Sequence, residues 1–204
     1  MLFLTLALFG QSAGLDANVG KAARQCMAPY ALEIVRNKVN RLRGVSQLTY
    51  LAMLTARSEG LAGRPFLVRT NAIIGEEDTK LRSGNIDKTV TLTACDQRFP
   101  LARTTAPTPL PKDPIDRDML CFGMIALFSK VVATAKGNDA ELARAEFMSF
   151  LTRFEPNMDA LFDLGRLNRS NIESNEEVFG DVLRASLDNG NPEATYERCR
   201  ALPS

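Results

Sequence analysis

Three glutamates, Glu173, Glu176 and Glu177, come closest in residue type and spacing to a catalytic group. Spacings of three and four residues place Glu173 on the same helical face as the other two. Paired carboxylates can cleave a glycosidic bond if a cleft shifts their pKa values apart. Acidic residues are also common in the first turn of a helix, where the helix dipole favours them. We predict this structural role and keep a hydrolase acting through Glu173 and Glu177 as an alternative.

Histidine is absent from the sequence, which removes the most common general base near neutral pH and a frequent metal ligand. Serine and cysteine triads that depend on histidine are therefore excluded. The sequence also has no glycine-rich phosphate loop and no C-x-x-C pair. We therefore predict a non-catalytic protein with no cofactor and no metal site. The net charge of +1 offers no general attraction to nucleic acid.

The elements that would position any site are helices grouped around four cysteines, Cys26, Cys95, Cys121 and Cys199. Each half of the chain begins with a helical segment that carries a cysteine and closes with a cysteine shortly before a proline. The order aromatic, apolar, small, apolar, Leu, Thr also recurs at 50–55 and 147–152. Three pairings are possible. The repeat favours Cys26 with Cys95 and Cys121 with Cys199, and four free thiols in a cytoplasmic protein remain the alternative.

The first nine residues form an apolar run interrupted by Thr5, and small residues follow as far as Ala17. This order is typical of a secretory signal peptide, although no positive residue precedes the run. We predict a signal peptide at 1–17 and a periplasmic or secreted protein. A buried N-terminal helix is the alternative. No later segment is apolar and long enough for a permanent membrane span.

A segment with four prolines in twelve residues, 103–114, predicts a linker. It separates two proposed helical units, 18–102 and 115–204. We predict an all-α fold with about four helices in each unit. In detail, Gly44 is predicted to stop one helix, Ser46 to cap the next, and Pro156 to end a third. Local signals are weak over 61–87, where the apolar stretch after Pro65, at 66–74, is compatible with a short helix or a strand.

Aromatic residues at helical spacing are concentrated in the second half of the chain. They predict an apolar binding surface for a hydrophobic ligand or a partner protein, and an ordinary core is the alternative interpretation. The residues of this surface are Phe122, Phe128, Phe147, Phe150 and Phe154.

The cysteine-bracketed repeats carry the segments ACDQRFPLAR at 94–103 and FMSFLTRFEP at 147–156. Over residues 22–203 the chain resembles exported helical proteins of Gram-negative bacteria that have no assigned activity. The resemblance implies a periplasmic setting and no mechanism. We predict a non-catalytic binding module for a partner protein or a hydrophobic ligand. A periplasmic chaperone or stress protein is the first alternative.

Overall fold

A computed structural model describes residues 14–36, 41–84, 89–106, 109–133 and 138–202. Over these ranges the chain is all-helical and contains no strand, which confirms the predicted all-α class. The first thirteen residues of the predicted signal peptide lie outside the described part. The α-helices are α1 (Val19–Val35), α2 (Arg41–Ser58), α3 (Gly63–Arg82), α4 (Leu92–Arg98), α5 (Pro114–Ala133), α6 (Asn138–Asp163), α7 (Ile172–Ser186) and α8 (Pro192–Arg200), with a 3-10 turn at Pro100–Ala102 after α4.

Two disulfides connect the first and last helix on each side of the proline-rich segment. Cys26 of α1 is bonded to Cys95 of α4, and Cys121 of α5 is bonded to Cys199 of α8. The Cα atoms are 5.5 Å apart in both bridges. The predicted pairing is confirmed. That the two halves are structural repeats stays a prediction.

The main hydrophobic core is continuous across the two halves. Its buried residues come from all eight described helices, including Tyr30 of α1, Phe66 of α3, Phe128 of α5 and Tyr196 of α8. A smaller cluster forms around Met119, Leu161 and Leu167. Helix α3 of the first half packs mainly on α7 of the second. Each half therefore buries apolar surface against the other, which is the main favourable term in folding.

Helix α8 is held in place by a residue of the first half. The hydroxyl of Ser46 donates to Oδ1 of Asn191, 3.2 Å away, and accepts from the backbone N–H of Glu193 at 2.7 Å. The amide nitrogen of buried Asn191 donates to three carbonyl oxygens, those of Leu101, Ala102 and Thr104. These bonds fix the start of α8 against α2 and the end of the first half.

Helix boundaries differ from the prediction at Gly44, Ser46 and Pro156. The first two lie inside α2, where Ser46 bonds α8 instead of capping its own helix. Helix α6 continues through Pro156 to Asp163. An internal proline costs about 3 kcal/mol, but Phe154 and Leu161 on either side of it are both buried. Packing of both segments offsets the lost hydrogen bond.

The stretch 66–74, for which a short helix and a strand were both open, lies inside α3 (Gly63–Arg82). Among the helices that the structure describes, none combines the length and the hydropathy needed to cross a bilayer.

Candidate functional site

A cleft of about 210 Å³ opens in the second half, between α5, α6 and the C-terminal end of α8. We call it the α6–α8 cleft. Helix α6 supplies most of its wall, and the disulfide between α5 and α8 lies beside it, because Cys199 is one of the lining residues. The lining residues are Arg117, Phe150, Arg153, Phe154, Asn157, Cys199 and Leu202.

Two phenylalanines of α6 form the apolar floor of the cleft. Phe150 and Phe154 are only 3% and 5% exposed, and their ring centroids lie 5.8 Å apart. Behind them, the ring of Tyr196 lies edge-on to Phe150 at 5.6 Å and contacts Phe128 at 5.1 Å. Burial raises the pKa of Tyr196 to about 12, so this aromatic stack is uncharged at physiological pH. The floor is therefore neutral and packed against further aromatic rings.

The five phenylalanines predicted as an apolar surface are mostly core residues. Phe128 and Phe147 are buried, and neither lines the cleft. Phe122 is half-buried against Phe179 of α7, with ring centroids 5.0 Å apart. Of the five, Phe150 and Phe154 line the α6–α8 cleft. The physical reason is that α6 packs on α5 along its aromatic face, so most of that face is covered.

Arg153 lies at the edge of the cleft and caps the end of α8. Its Nη2 donates to the carbonyl oxygen of Arg200 at 3.0 Å, and its Nη1 approaches the carbonyl oxygen of Leu202 at 3.5 Å. A cation is favourable at a helix C-terminus, where carbonyl groups have no partner within the helix. Arg153 is exposed and forms no ion pair with any carboxylate in the described part of the chain. Within the described residues, the carbonyl groups at the end of α8 are therefore the partners of its charge.

Arg117 on the opposite wall is compensated. Its Nε lies 3.1 Å from Oδ1 of Asp118, whose other oxygen accepts from Nδ2 of Asn157 at 2.8 Å. The side chain of Asp118 is only 13% exposed, so it supports Arg117 and Asn157 from behind the cleft wall. Among the described lining residues, the α6–α8 cleft thus combines an apolar floor, Arg117 paired with a carboxylate, and Arg153 paired with backbone carbonyl oxygens alone.

A shallow groove adjoins the cleft and shares Arg153 with it. The groove is lined by Ala145, Glu146, Ser149, Arg153 and Arg200. Glu146 forms an ion pair with Arg200, which also pairs with Glu197 at 2.9 Å. Glu146 and Arg200 of the groove are thus already paired with each other.

Of the cleft residues, sequence analysis had singled out only Phe150, Phe154 and Cys199. Arg153 and Asn157 lie on the same helical face as these phenylalanines, at spacings of three, four and seven residues. That mixture of aromatic and polar residues on one face was a usable signal. No sequence pattern indicates Arg117 and Leu202, because tertiary packing brings them to the cleft.

The predicted carboxylates lie away from the cleft, at the contact between α7 and the start of α3. Glu177 Oε2 accepts from the backbone N–H of Arg64 at 2.9 Å, and Asp181 Oδ1 accepts from that of Gly63 at 2.9 Å. The guanidinium of Arg64 pairs with Glu173 at 3.1 Å and with Glu176 at 3.0 Å. Ala62, at the N-cap position of α3, has no capping side chain. The acidic face of α7 therefore caps α3.

The described residues include no cluster of three or more side chains suited to binding a metal ion. Comparison of the chain with models of protein families, with curated proteins and with solved structures finds no match.

Proposed function

We propose that the chain is an exported, non-catalytic binding protein that takes its ligand in the α6–α8 cleft. The observation that carries the proposal is the pairing of an apolar floor, Phe150 and Phe154, with hydrogen-bond donors at the rim. Small-molecule sites are typically concave and mostly apolar, with a few polar groups that orient the ligand.

The size of the cleft supports a ligand that is small. An engineered protein cavity of roughly 150 Å³, lined by apolar side chains, accommodates benzene. The α6–α8 cleft, at about 210 Å³, has room for one aromatic ring and a short substituent.

The carboxylate-dependent hydrolase receives less support from the geometry. Glu173 is 72% exposed, and Glu177 accepts from the backbone of Arg64. Neither glutamate lines the cleft, so neither lies beside a substrate held on its apolar floor. We therefore propose a binding role and no bond cleavage.

Export is supported by the two disulfides. Such bonds persist in secreted and periplasmic proteins and are rare in reducing cytoplasm. The two bridges close loops of 69 and 78 residues. They stabilise the folded protein as long as they remain oxidised. A periplasmic or secreted location is therefore part of the proposal.

The binding site is tested by an NMR titration of the isotope-labelled protein with benzyl alcohol, a neutral aromatic probe. We expect shifts of the backbone amides of α6 around Phe150 and Phe154 and of the end of α8 around Leu202. Leu202→Trp, which fills the cleft from its rim, should abolish them. Leu164→Trp is the matched control, because Leu164 is exposed and lies outside the cleft lining.

Saturable shifts confined to these residues, lost in Leu202→Trp and kept in Leu164→Trp, would support the site. Shifts spread evenly over the molecule, or unchanged by Leu202→Trp, would contradict it.

A further inference from the structure

The arginines around the α6–α8 cleft differ in how far carboxylates neutralise them, and this difference favours one class of ligand. Arg117 is neutralised by Asp118, and Arg200 by Glu146 and Glu197. Arg153 has only two backbone carbonyl oxygens as partners in the described structure. An arginine has five N–H donors, so several remain for a ligand.

We infer that the cleft binds a small monocarboxylate whose apolar body is about the size of one aromatic ring. The inference rests on the proposed function and adds the chemical class of the ligand. The ring would lie on Phe150 and Phe154, and the carboxylate would accept hydrogen bonds from the guanidinium of Arg153. Asn157, whose amide also lines the cleft, is already committed to Asp118.

The chemistry of the lining favours an anion over a neutral or cationic ligand. No carboxylate is among the described lining residues, which include two guanidinium groups. A carboxylate matches the planar donor geometry of arginine and forms shorter, stronger hydrogen bonds than a neutral acceptor. A cationic ligand would instead meet the positive charge of Arg153.

A free small molecule fits better than the end of a longer chain. A polypeptide anchored in the cleft would have to continue along the adjoining groove, and Glu146 and Arg200 already form an ion pair there.

The test compares 3-phenylpropionate with 3-phenylpropionamide, which has the same shape and no charge. Affinities are measured by the NMR titration described above, at low ionic strength and neutral pH. We expect the acid to bind about tenfold more tightly than the amide, because its hydrogen bonds to Arg153 are charge-assisted.

Arg153→Gln should remove most of this preference, because it lowers the affinity for the acid, whose hydrogen bonds to Arg153 are charge-assisted, more than the affinity for the amide. Arg166→Gln is the matched control for net charge, because Arg166 is exposed and outside the cleft lining. It should keep the preference of the unmodified protein.

Equal affinities for acid and amide would overturn the carboxylate assignment and leave the proposed binding function standing. Binding of neither compound would also overturn the assignment, and the benzyl alcohol titration would then decide separately on the binding function. A peptide that ends in phenylalanine and binds more tightly than 3-phenylpropionate would show that the ligand is a chain terminus, contrary to the inference.

Discussion

Gly180 of α7 lies directly against Gly63, the first residue of α3. A Cβ atom placed on Gly180 would overlap the carbonyl oxygen of Gly63, and that oxygen belongs to backbone that cannot move aside like a side chain. Gly63 itself has a φ of +54°, a left-handed conformation that favours glycine. The two halves of the protein therefore approach each other to backbone contact at this point.

A larger residue at Gly180 should push the two halves apart at this contact. We expect Gly180→Ala to lower the free energy of unfolding by about 1 to 3 kcal/mol, as overpacking does in other cores. Gly75→Ala is the control, because Gly75 lies inside α3 with open space around it. It should stabilise by about 0.5 to 1 kcal/mol. Urea denaturation measures both, and a Gly180→Ala protein as stable as the unmodified one would refute the close approach.

The acidic face of α7 should matter for stability through its bonds to the start of α3. We expect the double variant Glu177→Gln/Asp181→Asn to lose about 1 to 2 kcal/mol, since both charges interact with unpaired N–H groups at a helix N-terminus. Glu173→Gln should change stability by less than about 0.5 kcal/mol, because Glu173 is exposed and pairs only at the surface. Thermal denaturation measures the stability of each variant. An equal loss in Glu173→Gln and in the double variant would contradict the role of Glu177 and Asp181 in capping α3.

All three tyrosines should resist ionisation in the folded state. Burial, followed by the hydrogen bond to Asp96, raises the pKa of Tyr30, and burial also raises the pKa of Tyr50 and Tyr196. In the unfolded chain tyrosine ionises near pH 10. The stability that these raised pKa values contribute is therefore fully present below about pH 10 and is lost as the pH rises further.

Near-ultraviolet titration of the native protein should accordingly show little tyrosinate at pH values where free tyrosine is already ionised. Tyr30→Phe should make the fall in stability above about pH 10 shallower, by up to about 1.4 kcal/mol per pH unit. Normal ionisation of all three phenols in the folded protein would show that they are accessible to water, against the structure.

Removal of the disulfide beside the cleft should affect both stability and binding. The double variant Cys121→Ser/Cys199→Ser should lose about 4 kcal/mol by the chain-entropy model and bind benzyl alcohol more weakly, because this bridge holds α8 against α5. Cys26→Ser/Cys95→Ser should lose a similar amount of stability yet keep the affinity. The same affinity for benzyl alcohol in both variants would mean that the Cys121–Cys199 bridge does not shape the cleft.

Local sequence was sufficient for the helical class and for the cysteine pairing. Apolar residues at helical spacing indicate helices wherever they occur, and α8 begins at Pro192 after the N-cap residue Asn191, a common local start signal. The boundaries at Gly44 and Pro156 were missed because tertiary packing outweighs local breakers there. For α3 the deciding contribution comes from Glu177 and Asp181, more than a hundred residues away, and no local pattern contains it.

The candidate site was predicted only in part, for a related reason. Aromatic periodicity identifies residues that will be buried, but it does not say which of them border an opening. All four phenylalanines of this set are buried, and Phe150 and Phe154 line the cleft because α8 ends beside them, whereas Phe128 and Phe147 do not line it. Arg153 acquires its role from the end of α8, which only the folded chain brings to it.

The central claim, an exported and disulfide-stapled binding protein, is tested most directly by non-reducing peptide mapping of the protein isolated from its native host. Mass spectrometry of the digest reads the N-terminus and the cysteine linkages together. We predict a processed N-terminus near Ala13 to Ala17, with Cys26 linked to Cys95 and Cys121 linked to Cys199. An intact Met1 together with four reduced cysteines would contradict the account.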